Sequence, residues 1–340
     1  MNKILPLFEE QFVLELFRRE ILPQYPSFSA ISRVEIKPYK KLIWETTYHV
    51  VIGYRVYFRD ARGLEIKLPI VCSAHSSEPR ANVFAALKSL WNLGLGKEGI
   101  DLPRPLFYSE EFNGTFYRGL SGENLLYYIK KQQTAEIEKI VAATAVLFAR
   151  LHSLTVGREA NFNPINSRIK TVVPGINTIL TEMSGRYNNK YTADLKKIYD
   201  YFIKNEESFF SSATRLALIH GDAHPENIIK TGAARIGLID FTDFCLGDFA
   251  RDLGSFIQQL EYKIIRNMND PDYAAKVKNL FLHEYLMATG LKLDADLQVR
   301  IDLYYNWTAI RTAIFWFLKF GHNEARAEAL LNQVKKNLDF

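Results

Sequence analysis

Cysteine is nearly missing from this chain of 340 residues, which has only Cys72 and Cys245. A disulfide-stapled secreted scaffold needs several pairs, so the fold must rest on a buried core, with reduced thiols in a cytoplasmic protein the expectation. Long apolar runs are missing too. The most apolar stretch, residues 312–318, lies between Arg311 and Lys319 and falls far short of the ~20 residues of a spanning helix, so no membrane partner is expected. The opening segment MNKILPLFEEQFVLELFRRE is interrupted by Pro6, Glu9 and Glu10 and predicts no secretory signal. Blocks of one charge sign are likewise absent. The balance of 43 basic and 38 acidic residues leaves +5, and the densest cluster, Lys37, Lys40 and Lys41, is too small for a nucleic-acid surface. No segment repeats or is low in complexity, which excludes solenoids and linkers.

What is present changes character along the chain. Residues 7–22 carry apolar positions at helical spacing, and strand-like runs follow at 31–36, 48–58 and 64–74. The last two are joined by a plausible hairpin loop, Asp60-Ala61-Arg62-Gly63. A helix is expected over 79–93, with Pro79 suited to its first turn. Short strands are expected at 102–108 and 115–120. Beyond Gly122 the pattern is helical at 124–131, 135–154, 192–210, 254–268, 272–289 and 294–320, interrupted by a β-rich segment at 217–240. The expectation is an α+β chain: a small β-rich N-lobe over 1–120 and a larger, mainly helical C-lobe over 121–340, hinged at 115–123.

The chemistry concentrates in LALIHGDAHPENIIKTGAARIGLID, residues 216–240. An apolar strand delivers His220, Gly221, Asp222, His224 and Asn227 to one loop. Strands at 227–230 and 236–239, paired about the intervening turn, set Asn227 opposite Asp240 at the open end of a hairpin unless a bulge shifts the register. Asn and Asp oxygens are hard ligands suited to Mg²⁺. A separate carboxylate, Asp222, can take the proton of an attacking hydroxyl, the division of labour used in phosphoryl transfer. The five-residue step from Asp222 to Asn227, with a further Asp after a short hairpin, agrees with a kinase catalytic loop.

These residues resemble the aminoglycoside phosphotransferase and choline kinase group, small-molecule kinases with a protein-kinase-like fold. The group's His-Gly-Asp-x-His-Pro-x-Asn is matched by His220, Gly221, Asp222, His224, Pro225 and Asn227. Its Ile-Asp-Phe is matched by Ile239, Asp240 and Phe241, and its Gly-Asp-x-x-x-Asp-Leu by Gly247, Asp248, Asp252 and Leu253. The resemblance is strongest over 216–256 and weakest before residue 100. It implies a bilobal kinase-like fold, ATP or GTP as co-substrate, Mg²⁺ on Asn227 and Asp240, and a small-molecule hydroxyl acceptor such as a metabolite, sugar or antibiotic. Asp222 is then the catalytic base, with Asn227 beside it, and His224 a substrate contact. His220 and Asp252 would brace the loop.

The N-lobe departs from that pattern. Where a kinase carries its third-strand lysine, Ile70-Val71-Cys72-Ser73 places Ser73, and the following helix has no glutamate at the matching site. No GxGxxG is present. Lys37, Lys40 and Lys41 fall between the first two expected strands, where the group has its nucleotide-facing loop, and Arg80 opens the helix. Lys41, Ser73 and Tyr117 are therefore the candidate nucleotide contacts. The missing lysine leaves a second reading open, a weak or inactive kinase-like protein that binds nucleotide or a partner. A third, a dinuclear metal hydrolase built on His220, Asp222 and His224, lacks a second ligand cluster in the sequence. For the acceptor, Tyr304, Tyr305, Trp307, Arg311 and Trp316 are candidate lining residues, though their helical spacing also fits core packing. An aromatic cage there would suit a quaternary ammonium.

Overall fold

Alternating buried and exposed residues along the first third of the chain resolve into three long antiparallel strands. The structure, a computed structural model, describes residues 2–78, 80–213, 215–319 and 323–340. Pro79 and the last residue of the helix expected over 294–320 lie outside the described residues. In chain order the first half forms α1 (Glu10–Glu20), β1 (Phe28–Ile43), β2 (Tyr48–Asp60), β3 (Glu65–His75), α2 (Ala81–Asn92), β4 (Ile100–Asp101), β5 (Arg104–Ser109), β6 (Gly114–Arg118), the short β7 (Glu123–Asn124), α3 (Leu125–Lys130) and α4 (Thr134–Ser153). The second half forms α5 (Ile176–Tyr187), α6 (Thr192–Ser212), β8 (Ala217–Ile219), β9 (Ile228–Gly232), β10 (Arg235–Leu238), β11 (Cys245–Gly247), α7 (Ala250–Met268), α8 (Pro271–Thr289), α9 (Ala295–Leu318) and α10 (Glu324–Asn337). The fold is α+β, with a β-sheet N-terminal region and a helical C-terminal region.

Two compact units make up the chain: residues 1–122 with 229–242, and residues 123–228 with 243–340. The hairpin 229–242, which the sequence reading placed in the 121–340 lobe, groups with residues 1–122, in a sheet separate from the five-stranded one. In the first unit β1, β2, β3, β6 and β5 form one antiparallel sheet in that order. Val13, Leu16 and Phe17 of α1, at helical spacing, are buried. They belong to the same apolar core as Val50, Ile52, Ile70, Cys72 and Phe116 of the sheet. The hairpin strands β9 and β10 pair beside β4, joined by a turn at Ala233 and Ala234.

β1 is far longer than the expected 31–36. Its second half is almost wholly exposed, and lysines on an outermost strand are a usual way to keep such an edge from pairing with another chain. Periodicity alone reads that half as a loop, because it has no apolar face to report.

In the second unit, α7 and α9 cross closely at Gly254, where a Cβ would stand 2.5 Å from the Ile301 carbonyl oxygen and 2.7 Å from the Tyr305 nitrogen. β8 pairs antiparallel with β11, a two-stranded sheet the sequence reading did not anticipate. It also missed α5 and α10, each of which buries only a narrow stripe. No helix among the described residues is long and apolar enough to cross a membrane. Cys72 and Cys245 are free and buried, and desolvation pushes the Cys245 thiol up to about 12, so both are unreactive packing residues.

Candidate active site

The catalytic-loop residues sit where β8 ends. Gly221 has φ +79°, and a Cβ there would overlap the Asp243 carbonyl oxygen, so the sharp exit from the strand requires glycine. Asp252, fully buried in the first turn of α7, accepts hydrogen bonds from the backbone N–H of His220 at 2.6 Å and of Gly221 at 2.9 Å. Its Oδ2 also lies 3.1 Å from Nε2 of buried His152, whose Nδ1 meets the Tyr285 hydroxyl at 2.9 Å. Burial opposes the charge on Asp252, but the His152 hydrogen bond and charge and the His220 backbone N–H hold its pKa low. Buried Arg251 donates to the Gly221 carbonyl at 3.2 Å and to the Asn166 carbonyl. The loop is thus tied at both its N–H and C=O groups by consecutive residues of one helix.

Asp222 projects from this loop with a side chain 52% exposed. Its Oδ2 is 3.4 Å from His224 Nε2, and His224 Nδ1 is 3.0 Å from Glu226. Desolvation disfavours the imidazolium, but Asp222 and Glu226 outweigh it and push His224 up to about 10. Asp222 is correspondingly held well below the usual carboxylate range: desolvation raises it, and the His224 charge and hydrogen bond more than offset that. Asn227 donates through Nδ2 to the Asp222 carbonyl at 3.0 Å, an orientation that leaves Oδ1 as its acceptor. His224 is engaged on both nitrogens by carboxylates, and among the described residues no group of three or more His, Cys, Asp or Glu side chains could hold a metal ion. The hydrolase reading has no ligand set.

A cavity of about 560 Å³ opens beside Asp222. Its walls include His224 and Glu226 from the loop, Gln259, Lys263 and Arg266 from α7, and Trp307, Arg311 and Trp316 from α9. Tyr304 and Tyr305 do not line it. Tyr304 is buried and donates to Glu206 at 3.0 Å, and Tyr305 donates to Glu261 at 2.7 Å. The α7 wall went unnoticed in the sequence, although the spacing of Gln259, Tyr262, Lys263 and Arg266 marks one helical face.

In the N-terminal unit, Asp240 lies past the end of β10 at φ +63°, a left-handed conformation uncommon outside glycine and frequent at functional sites. Its Oδ1 accepts from the Thr242 hydroxyl at 2.7 Å, and Asn82 of α2 donates to the Thr242 carbonyl at 3.3 Å. Strand register decides which candidate nucleotide contacts share a face. Lys40, Val51, Ser73 and Thr115 are successive cross-strand partners, and Tyr117, opposite Val71, lies on the same side. Burial, with the charge of Asp240 next, raises the Tyr117 phenol. Lys41 belongs to the other side, aligned with Val50 and Ala74 and with its Nζ 4.6 Å from the centre of the Phe8 ring. Lys41 therefore cannot act with Ser73 and Tyr117. Nor do Lys37, Lys40 and Lys41 lie between strands, since β1 contains all three. The cations of the Ser73 side include Lys37, in the same cross-strand row as Gly53, Val71 and Tyr117, Lys40, 3.3 Å from His49 Nε2, and Arg80, buried with Nη1 3.3 Å from Glu78.

A family model described as a phosphotransferase enzyme family matches residues 54–286, a span that includes the whole catalytic loop. The chain belongs to the phosphotransferase enzyme family. Solved structures agree on the fold. An ethanolamine kinase from Plasmodium vivax superposes with a TM-score of 0.52 at 17% identity, covering 88% of this chain and 81% of that one. A choline/ethanolamine kinase family protein from Mesorhizobium loti gives 0.54 at 14% identity, covering 96% and 93%. A spectinomycin phosphotransferase bound to ADP and spectinomycin gives 0.54 at 12% identity, covering 96% and 94%. No curated protein sequence matches. The fold is thus kinase-like, and the departures at Ser73 and β1 are local changes within a shared architecture.

Proposed function

We propose that this phosphotransferase-family protein is a small-molecule kinase, transferring the terminal phosphoryl group of ATP or GTP to a hydroxyl of a small acceptor. The reading is carried by Asp222, a carboxylate held by a fully tied loop on the wall of a cavity large enough for a metabolite. In the reaction the acceptor oxygen forms a bond to the terminal phosphorus, the bond to the bridging oxygen breaks and the nucleoside diphosphate leaves. The hydroxyl proton passes to Asp222. Because Asp222 is a weak base beside His224, its contribution is mainly orientation, as suits phosphoryl transfer.

Asn227 and Asp240 would supply the oxygen ligands for Mg²⁺, which neutralises phosphate charge when bound. The donor chemistry fits: Asn227 keeps Oδ1 as an acceptor, and only Oδ1 of Asp240 is engaged by Thr242. Ser73 and Tyr117 form the proposed nucleotide side, with Lys40 and Arg80 replacing Lys41 as its cations. Two buried free thiols suit a cytoplasmic setting.

The test has two steps. Thermal shift with Mg-nucleotide should stabilise the protein, and Asp240→Ala should abolish the magnesium dependence. Acceptor-dependent nucleotide consumption should then vanish in Asp222→Ala while nucleotide binding persists. An active Asp222→Ala protein would contradict the assignment, and nucleotide binding without any transfer would favour the inactive kinase-like reading.

A further inference from the structure

Resting on the kinase reading of the Asp222 site, we propose that the acceptor is a polyhydroxy compound bearing an anionic group, a carboxylate or a phosphate, which Arg266 and Arg311 recognise.

The argument is a charge inventory of the cavity wall. Three carboxylates line it, Asp222, Glu226 and Asp243, and the first two are paired within the wall itself. Asp222 is matched by His224 at 3.4 Å, and Glu226 by the Lys263 ammonium and by His224 at 3.0 Å. Asp243 also has a partner within the protein. Lys263 is consumed by the same pairing. Two lining cations remain. Neither Arg266 nor Arg311 meets a carboxylate within ion-pair distance among the described residues. Each instead lies against an indole, Arg266 at 5.3 Å from the centre of Trp316 and Arg311 at 5.1 Å from that of Trp307. Guanidinium groups held on aromatic planes keep their N–H forks for a planar or tetrahedral oxyanion.

The same rings could not cage an ammonium group. Trp307 also carries Arg251 at 4.8 Å, and Trp316 carries Arg326 at 4.6 Å, so each indole already has two guanidinium groups against it. A third cation would meet like charge in place of an open π-face. This overturns the aromatic-cage expectation of the sequence. Hydroxyls of a polyol would compete on the same wall for Thr308, whose hydroxyl meets Ser255 at 2.8 Å, and for Thr312, whose hydroxyl accepts from Gln259 at 2.9 Å.

A six-carbon polyol series that changes the group and charge at one terminus tests this: gluconate, sorbitol 6-phosphate, neutral sorbitol and cationic glucamine. Each is titrated calorimetrically into the full chain, with Mg-nucleotide binding measured separately. At least one anionic probe should bind ten-fold or more tighter than sorbitol, and glucamine should bind weakest. Gluconate against sorbitol 6-phosphate tells which oxyanion the site takes. Arg311→Gln and Arg266→Gln should each erase most of the preference with unchanged melting temperature, and Arg311→Lys should restore part of it. Glucamine binding as tightly as the anions, no discrimination across the four probes, or a preference that survives both Gln substitutions would overturn the proposal. Anion binding that depends on the arginines, together with absence of Mg-nucleotide binding, would instead sink the kinase reading and leave the anion site standing.

Discussion

His224 Nε2 stands 3.4 Å from the carboxylate of Asp222 while its Nδ1 reaches Glu226 at 3.0 Å. One imidazolium thus bridges the proposed base and a carboxylate that is itself held by Lys263. The bridge sets the direction in which Asp222 points and holds its pKa low, so the role proposed for it rests more on placement than on proton affinity.

Replacing His224 by Gln removes the charge and keeps a hydrogen-bonding side chain. A charge-assisted hydrogen bond is worth roughly 1.5–3 kcal/mol, so kcat should fall about ten- to a hundred-fold. Steady-state kinetics with nucleotide affinity measured in parallel check this. A loss of nucleotide affinity with kcat intact would assign His224 to another task.

Asp252→Asn keeps the shape of the residue and removes the charge that receives two backbone N–H groups and faces His152. Breaking a buried, hydrogen-bonded charge costs about 3–5 kcal/mol. Urea unfolding should show that loss, with a slope unchanged from the parent. A variant as stable as the parent would mean that the loop is held by other bonds.

Gly221→Ala tests the turn itself. The left-handed backbone disfavours any Cβ by about 1–2 kcal/mol, and overlap with the Asp243 carbonyl adds to that. The loop must shift to relieve the overlap, so turnover should drop by more than the stability loss explains. Unaltered kinetics in a folded variant would show that the turn tolerates a side chain.

Glu206 gives a pH-dependent expectation. It is 1% exposed, accepts from the Ile169 N–H at 2.7 Å and from Tyr304 at 3.0 Å, and burial pushes it up to about 7 despite Arg251 and those hydrogen bonds. Between the ordinary carboxylate range and about 7, the folded state keeps a proton that the unfolded state has released. Stability therefore falls as pH rises through this window, by about 3 kcal/mol from this group. Asp248, pushed up by burial to about 6, adds in the same direction at lower pH. Glu206→Gln should flatten the slope between pH 5 and 8 and leave the Asp248 part. Parallel stability–pH curves for parent and variant would refute the shift.

Much of the site could be read directly from the chain. The loop from His220 to Asn227 and the turn at Ala233 and Ala234 are local features, in which neighbouring residues dictate the backbone. Strands with one buried face, such as β2 and β3, announced themselves by alternation, and α4 and α6 by helical period. Exposed or thinly buried elements, the outer half of β1 together with α5 and α10, had no such pattern to announce them.

Sequence alone determined the catalytic loop, its hairpin and the α+β order, because each depends on residues close together in the chain. Tertiary structure decided that Lys41 lies across the sheet from Ser73, because a register break at Pro38 and Lys40 and the pairing with β2 select the face of every later residue. It also decided that α7 joins α9 and the loop in walling the cavity beside Asp222, and that Asp222 and Glu226 there are already paired. Charges brought together from positions 37 residues apart, as Glu226 and Lys263 are, can neutralise one another only after the chain has folded, and no local pattern encodes that balance.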